Sequence, residues 1–113
     1  MEDAMKLDID KLAADMTGAI KKVLEKKWPE IGDYAEVGAR NLAEALIKIE
    51  KSKLTGELDE KEAKIHLFIQ KNAAGSMLLA IEGLGILAAE EAINAAFQVV
   101  KDTVNTALGF SLL

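Results

Sequence analysis

Apolar residues recur at three- and four-residue intervals through the first quarter of the chain, which is the spacing of an amphipathic helix. Residues 8–27 contain one such row, which begins at Ile9 and ends at Leu24. Pro29 disfavours the helical conformation of the preceding residue, Trp28, so the pattern predicts that this helix stops there. We expect a first helix with one buried face and one solvated face.

A second helix is predicted over residues 33–53. Asp33 followed by Glu36 resembles a capping pair, in which the aspartate accepts a hydrogen bond from a free backbone amide. The apolar positions that follow keep helical spacing until the sequence approaches Gly56. Glycine commonly ends helices, so we expect a turn at this position.

The sequence after Gly56 contains no proline and is open to one long helix. Asp59 and Glu62 repeat the capping pair at its start. An unbroken helix from Asp59 to about Leu108 would be roughly 75 Å long. A compact domain of this size has a radius of gyration of only about 13–14 Å. Either the helix breaks, or it projects and another chain covers it.

Glycines provide the candidate breaks, and the pair Gly83 and Gly85 is better placed than Gly75. A break at the pair gives four segments of comparable length, which is typical of a four-helix bundle. Those segments are 8–27, 33–53, 59–82 and 86–108. Apolar residues surround the pair, so a true reversal and a kinked or continuous helix both remain open. The predicted fold class is all-α, with three long helices or a four-helix bundle whose apolar carboxy-terminal helix is kinked or broken near Gly83 and Gly85.

The composition agrees with a single helical domain over residues 1–113. A chain of this length can bury one modest core, and it contains 18 alanines and one proline. The absence of cysteine excludes a disulfide scaffold and cysteine-ligated metal sites. We expect a charged amphipathic helical hairpin over 8–58 and an apolar helix or hairpin for core and assembly over 59–113.

Charge divides the chain unevenly. Residues 1–66 carry 15 acidic and 12 basic side chains, whereas residues 67–113 carry four acidic and two basic ones. The net charge of −5 opposes attraction to nucleic-acid phosphates and to anionic lipid, so we expect neither nucleic acid nor a membrane as a partner. The first residues do not resemble a secretory signal, and the expected location is the cytoplasm.

The last predicted helix, 86–108, has an unusually wide apolar arc, because its polar residues fall on one narrow stripe. A surface helix of a monomer buries a narrower arc than this. Ala88, Ala92 and Ala96 recur at four-residue steps, which favours close approach of helix backbones. The sequence therefore predicts a homo-oligomer that packs through one apolar row. The predicted interface residues are Leu79, Leu87, Ala92, Ile93, Ala96, Val100 and Val104.

Two motifs could carry chemistry, and neither has the full pattern that its chemistry needs. Residues 83–88 match the G-x-G-x-x-A form of a dinucleotide-binding turn, but that turn requires a strand before it and a helix after it. Asp59, Glu62 and His66 could share a helix face and bind a metal. A di-iron bundle, however, needs Glu-x-x-His on two helices, and this chain has one histidine in a different spacing. We expect neither a cofactor nor a metal.

Catalysis is also not expected. Glu82 is a candidate acid because its neighbours are apolar, but no nucleophile and base are arranged around it. The predicted function is therefore a non-catalytic structural or protein-interaction module that acts through helix packing in a homo-oligomer. One alternative is a small bundle that binds an apolar ligand between its helices. The other is a membrane-active protein that inserts residues 73–89, a segment in which Glu82 is the one charge.

Overall fold

The computed structural model describes residues 6–81 and 83–113, and the regular structure of these residues is entirely helical. Four α-helices pack together, which confirms the predicted all-α class and selects the four-helix bundle from the two predicted alternatives. They are α1 (Ile9–Val23), α2 (Trp28–Leu54), α3 (Glu60–Leu79) and α4 (Ile86–Leu108), with a short 3₁₀ turn at Glu25–Lys27 between α1 and α2.

The chain reverses direction between α3 and α4, so the alternative of a kinked or continuous helix is wrong. α3 ends at Leu79, earlier than predicted, and α4 begins directly after Gly85. Gly83 has a φ of 86°, a left-handed conformation that glycine adopts without steric cost. The radius of gyration is 14.1 Å. A compact single chain has this size, whereas an unbroken carboxy-terminal helix would not fit within it.

The junction between α1 and α2 differs from the prediction. α1 ends at Val23, and Trp28 has helical backbone angles because it begins α2. Pro29 therefore lies in the first turn of a helix instead of terminating one. Proline is well suited to that position, since the amide hydrogen that it lacks would have no partner there. Asp33 lies inside α2, so the predicted cap at this residue is wrong.

The other predicted turns and caps are confirmed. Gly56 follows α2 with a φ of 76°. At the start of α3, Oδ1 of Asp59 accepts a hydrogen bond from the backbone N–H of Glu62 at 2.8 Å. Local sequence was sufficient for these features because both partners lie within a few residues of each other.

All four helices contribute aliphatic and alanine side chains to one core. The largest fully buried apolar side chains are Met16, Ile20, Ile31, Leu42, Leu46, Ile49, Val100, Val104 and Leu108. α1 packs extensively along both α2 and α4, and α3 packs mainly on α2. Contact between α3 and α4 is sparse, although they are consecutive and joined by a short loop. The bundle is therefore closed on three sides and open along the α3–α4 side.

Both ends of the described chain are held by side chains of the bundle. Glu50 is buried, and its carboxylate accepts hydrogen bonds from the backbone N–H groups of Lys6 at 2.9 Å and Leu7 at 3.1 Å. Asn105 Oδ1 accepts from the backbone N–H groups of Leu112 at 2.9 Å and Leu113 at 3.0 Å. The last residues thus fold back along the chain's own helices, with Leu112 buried.

Within residues 6–81 and 83–113, no helix is both long enough and apolar enough to cross a bilayer.

Candidate interaction surface

The structure covers most of the predicted interface row with the chain's own helices. Ala92, Ile93, Ala96, Val100 and Val104 are all nearly or completely buried in the single-chain core. α4 uses these positions to pack against the rest of the bundle, principally α1. Most of the wide apolar arc of α4 is therefore covered within one chain, whereas Ile86, Leu87 and Val99 stay exposed. The five buried side chains are not accessible to a second copy in this fold.

The other two predicted residues lie at the surface, on either side of the α3–α4 reversal. Leu79 is 42% exposed and Leu87 is 80% exposed. Ile86, the first residue of α4, is also largely exposed. Leu79 and Ile86 line the same cavity, so the end of α3 and the start of α4 form one continuous apolar region.

α3 is apolar on two opposite faces. Its inner face is buried against the bundle through Ala63, Leu67, Ala74 and Leu78. A second row of exposed residues follows helical spacing on the other side, and we call this row the α3 outer face. It consists of Ile65, Phe68, Ile69, Asn72, Ala73, Ser76 and Leu79. Phe68 is 63% exposed, which is a large aromatic surface for a helix to leave in contact with water.

The α3 outer face is asymmetric along its length. Its first half carries the bulky side chains Ile65, Phe68 and Ile69. Its second half carries small ones, Ala73 and Ser76, next to Gly75. A methyl group added at Gly75 would meet no atom outside the immediate backbone within 4 Å, so this part of the surface is open to close approach.

Charge is asymmetric along α3 in the same sense. The charged side chains of α3 all precede Asn72, and no residue from Asn72 to Leu79 is charged. Lys64 forms an ion pair with Glu60 at 3.3 Å, one turn away on the same helix. The α3 outer face thus has a bulky first half and a second half that is small until Leu79, and the charged residues of α3 all precede Asn72.

A groove runs along the open α3–α4 side. It comprises two adjoining cavities of about 520 and 370 Å³, which share Phe68, Lys71 and Asn94 in their walls. Gly75, Leu79 and Ile86 line the first cavity, and Phe97 and Leu112 line the second. The groove lies beside the α3 outer face, and Phe68 belongs to both.

The residues singled out for chemistry do not assemble into a site. Residues 83–88 form the reversal between two helices, without the preceding strand that a dinucleotide-binding turn needs. His66 is half-buried beside α2, where it shares a small pocket with Asn41, Glu44 and Lys48. In the described part of the chain, no three histidine, aspartate or glutamate side chains come close enough to bind a metal. Glu82 lies outside the described residues.

Comparisons of the chain with protein-family models, with curated proteins and with solved structures found no match. Its function therefore has to be inferred from the exposure, spacing and charge of its own residues.

Sequence reasoning missed the α3 outer face, although a signal for it was present. Ile65, Phe68 and Ile69 are out of phase with the buried Ala63 and Leu67, so this part of the helix is apolar on two opposite faces. A surface helix of a monomer buries one apolar face, so a second apolar face needs separate cover. The same inference was drawn for α4, where the chain itself provides the cover.

Proposed function

We propose that this protein is a non-catalytic interaction module that self-associates by helix packing, and that it does so through the α3 outer face. The observation that carries the proposal is the second apolar face of α3. This face is exposed, whereas the opposite face of the same helix is buried in the core. The proposed contact surface is thus the α3 outer face, and not the α4 row that the sequence predicted.

The area of the surface supports association. Four large side chains belong to it, Ile65, Phe68, Ile69 and Leu79, and two more, Ile86 and Leu87, are exposed at the start of α4. Together the six expose on the order of 700 Å² of apolar surface, close to the approximately 800 Å² that each partner buries in a stable protein interface. The largest apolar patch on a typical monomer is only about 300–600 Å². Covering this surface would remove an unfavourable contact with water from each copy.

The polar content of the surface also supports pairing between helices. The α3 outer face carries no charged residue, and Asn72 near its centre is its one amide. Helix interfaces are typically apolar with an occasional asparagine, which sets register and subunit number at some cost in stability. The surface has this composition without any rearrangement of the described fold.

The first test is Phe68→Glu, which places a charge in the centre of the bulky half of the surface. Val99→Glu is the matched control, because Val99 is a 52% exposed apolar residue on the side of α4 that faces α1. Sedimentation velocity should show that Phe68→Glu is monomeric under conditions in which the wild-type chain and Val99→Glu are associated. Both variants should keep the helical circular dichroism of the wild type, because neither residue belongs to the core.

Equal association of the wild type and Phe68→Glu would contradict the assignment to α3. Loss of association in both variants would indicate a general effect of added acid on a chain that is already negative, and would contradict it as well.

The α3–α4 groove favours a second candidate function, the binding of an apolar ligand. Its larger cavity, about 520 Å³, falls in the range of small-molecule sites, and its walls combine apolar side chains such as Phe68 and Ile93 with a few polar ones. Ser76→Trp, on the wall of this cavity, would fill it with a bulky ring. If an alkyl-chain fluorescent probe binds a monomeric wild-type chain and fails to bind Ser76→Trp, ligand binding replaces self-association as the preferred function. If the probe binds neither protein, the second candidate is wrong.

A further inference from the structure

We infer that two copies of this chain pair through their α3 outer faces in antiparallel orientation, about a two-fold axis that passes close to Asn72 and Ala73. The inference rests on the proposed function and adds to it the orientation and the register of the partner. It is drawn from three features of α3: the uneven distribution of side-chain size, the uneven distribution of charge and the central position of Asn72.

Side-chain size favours the antiparallel arrangement. An axis near Asn72 sets the bulky half of one helix, with Phe68 and Ile69, against the partner's small half, with Gly75 and Ser76. Large side chains would then fill the space that small ones leave, as close packing requires. A parallel pair would set Phe68 against its own copy and Gly75 against its own copy. The helices would be held apart at one end and would leave a void at the other.

Ile65 and Leu79 complete the pattern at the two ends of the face. They lie on opposite sides of Asn72, each seven residues away. In the antiparallel arrangement Ile65 of each copy therefore meets Leu79 of the other, so both ends of the contact are closed by aliphatic pairs. The contact would extend along most of a 20-residue helix, roughly 30 Å.

Charge favours the same orientation. Lys61 and Lys64 lie in the first half of α3, and Lys71 lies next to Asn72, near the proposed axis. A parallel pair would bring Lys61 and Lys64 next to their own copies, and like charges at such distances are repulsive. An antiparallel pair sets these two lysines against the partner's uncharged residues, whereas Lys71 lies near its own copy in both orientations. The two helix dipoles would also point in opposite directions in this antiparallel pair, which is the favourable arrangement.

Asn72 lies at the centre of the face and is exposed. Near a two-fold axis, its side chain meets the same side chain of the partner. Two amides can donate to and accept from each other, so an apolar contact satisfies its one central polar group only when the two helices are in register. Asn72 would thus select one register among those that the aliphatic residues permit.

Disulfide cross-linking of the full chain tests this geometry directly, since the protein contains no cysteine of its own. Close to a two-fold axis, a single cysteine can reach its own copy; far from the axis it cannot, because a disulfide needs Cα atoms within about 7 Å. The variants are Asn72→Cys, Ala73→Cys, Ile65→Cys and Leu79→Cys. Asp33→Cys, at an exposed position on α2, is the control for random collision.

Mild oxidation should convert Asn72→Cys or Ala73→Cys, or both, largely to covalent dimer. Ile65→Cys alone and Leu79→Cys alone should give no more dimer than Asp33→Cys. A mixture of Ile65→Cys with Leu79→Cys, allowed to exchange subunits before oxidation, should give the heterodimer. A size tag on one of the two variants identifies that product.

Light scattering on the same samples before oxidation separates the failure of this inference from the failure of the proposed function. If the variants are dimeric and Ile65→Cys cross-links to itself, the pair is parallel and the inference is wrong, while self-association stands. If they are dimeric and no α3 position cross-links above the control, the inference is again wrong. If the wild-type chain and all variants are monomeric, the proposed function itself is wrong.

Discussion

At the scale of single residues, Glu50 is the described side chain that departs most from what its type predicts. It is only 2% exposed, yet it is a carboxylate at the end of an otherwise apolar row on α2. Its two oxygens accept from the backbone N–H groups of Lys6 and Leu7, which precede α1. Burial of a carboxylate is costly unless such donors are present. Glu50 therefore fixes the start of the described chain to α2.

We expect Glu50→Ala to lower the free energy of unfolding by about 1–3 kcal/mol, because two backbone donors at a buried position lose their acceptor. Glu44→Ala is the control, since Glu44 is exposed and lies 4.0 Å from its nearest cation, Arg40. Its effect should stay within about 0.5 kcal/mol, as is usual for an exposed ion pair. Urea denaturation followed by circular dichroism measures both.

If the two variants unfold at the same urea concentration, the carboxylate of Glu50 does not hold the segment before α1. The sequence could not have predicted this role. The partners of Glu50 lie more than 40 residues away, and no local pattern connects them.

At the scale of elements, the reversal between α3 and α4 has the most specific backbone requirement. Gly83 has a φ of 86°, and a methyl group added there would lie 2.9 Å from Nζ of Lys27, at the α1–α2 junction. The reversal therefore lies beside the turn of the α1–α2 hairpin, where its neighbour is the far end of a flexible lysine side chain. Lys27 can move aside, so a side chain at position 83 would be opposed mainly by backbone strain.

We expect Gly83→Ala to destabilise the protein by about 1–2 kcal/mol, the cost of placing a non-glycine residue in the left-handed region. Gly18→Ala is the matched control. Gly18 lies inside α1 with open space around it, so alanine there should raise stability by up to about 1 kcal/mol. Thermal unfolding of both variants should shift the midpoint in opposite directions. Shifts in the same direction would contradict the role assigned to Gly83.

The elements show which parts of the fold local sequence determines. The range 86–108 agrees with α4, and the cap at Asp59 agrees with the start of α3, because both depend on neighbouring residues. Pro29 was misplaced because proline is compatible both with the end of one helix and with the first turn of the next. The structure shows the second case: α2 begins at Trp28, with Pro29 in its first turn, and is longer than its predicted range of 33–53.

At the scale of the whole molecule, some apolar side chains are covered by other helices of the same chain, and others stay exposed to solvent. The sequence correctly indicated that the apolar arc of α4 must be buried. It could not indicate that α1 of the same chain would cover it, because that contact joins the two ends of the sequence. Among the large apolar residues that remain exposed, the highest exposures are on α3 and at the start of α4, and others lie singly on α2 and at Val99 of α4.

Ala92→Glu separates these two kinds of surface. Ala92 is completely buried, so a glutamate there should destabilise the single chain by about 3–5 kcal/mol and reduce helicity, since the charge would be unpaired. Phe68→Glu, at the surface, should instead retain helicity while it loses association. Circular dichroism combined with sedimentation distinguishes the two outcomes. A well-folded Ala92→Glu monomer would show that Ala92 is an interface residue and not part of the core.

Self-association is the central claim, and the native mass of the wild-type chain tests it most directly. Light scattering after size exclusion, over a wide range of protein concentration and without detergent, should give a mass that rises from 12.2 kDa towards twice that value as concentration increases. A mass that remains at 12.2 kDa at the highest concentration would contradict the claim, and the second face of α3 would then need a different partner.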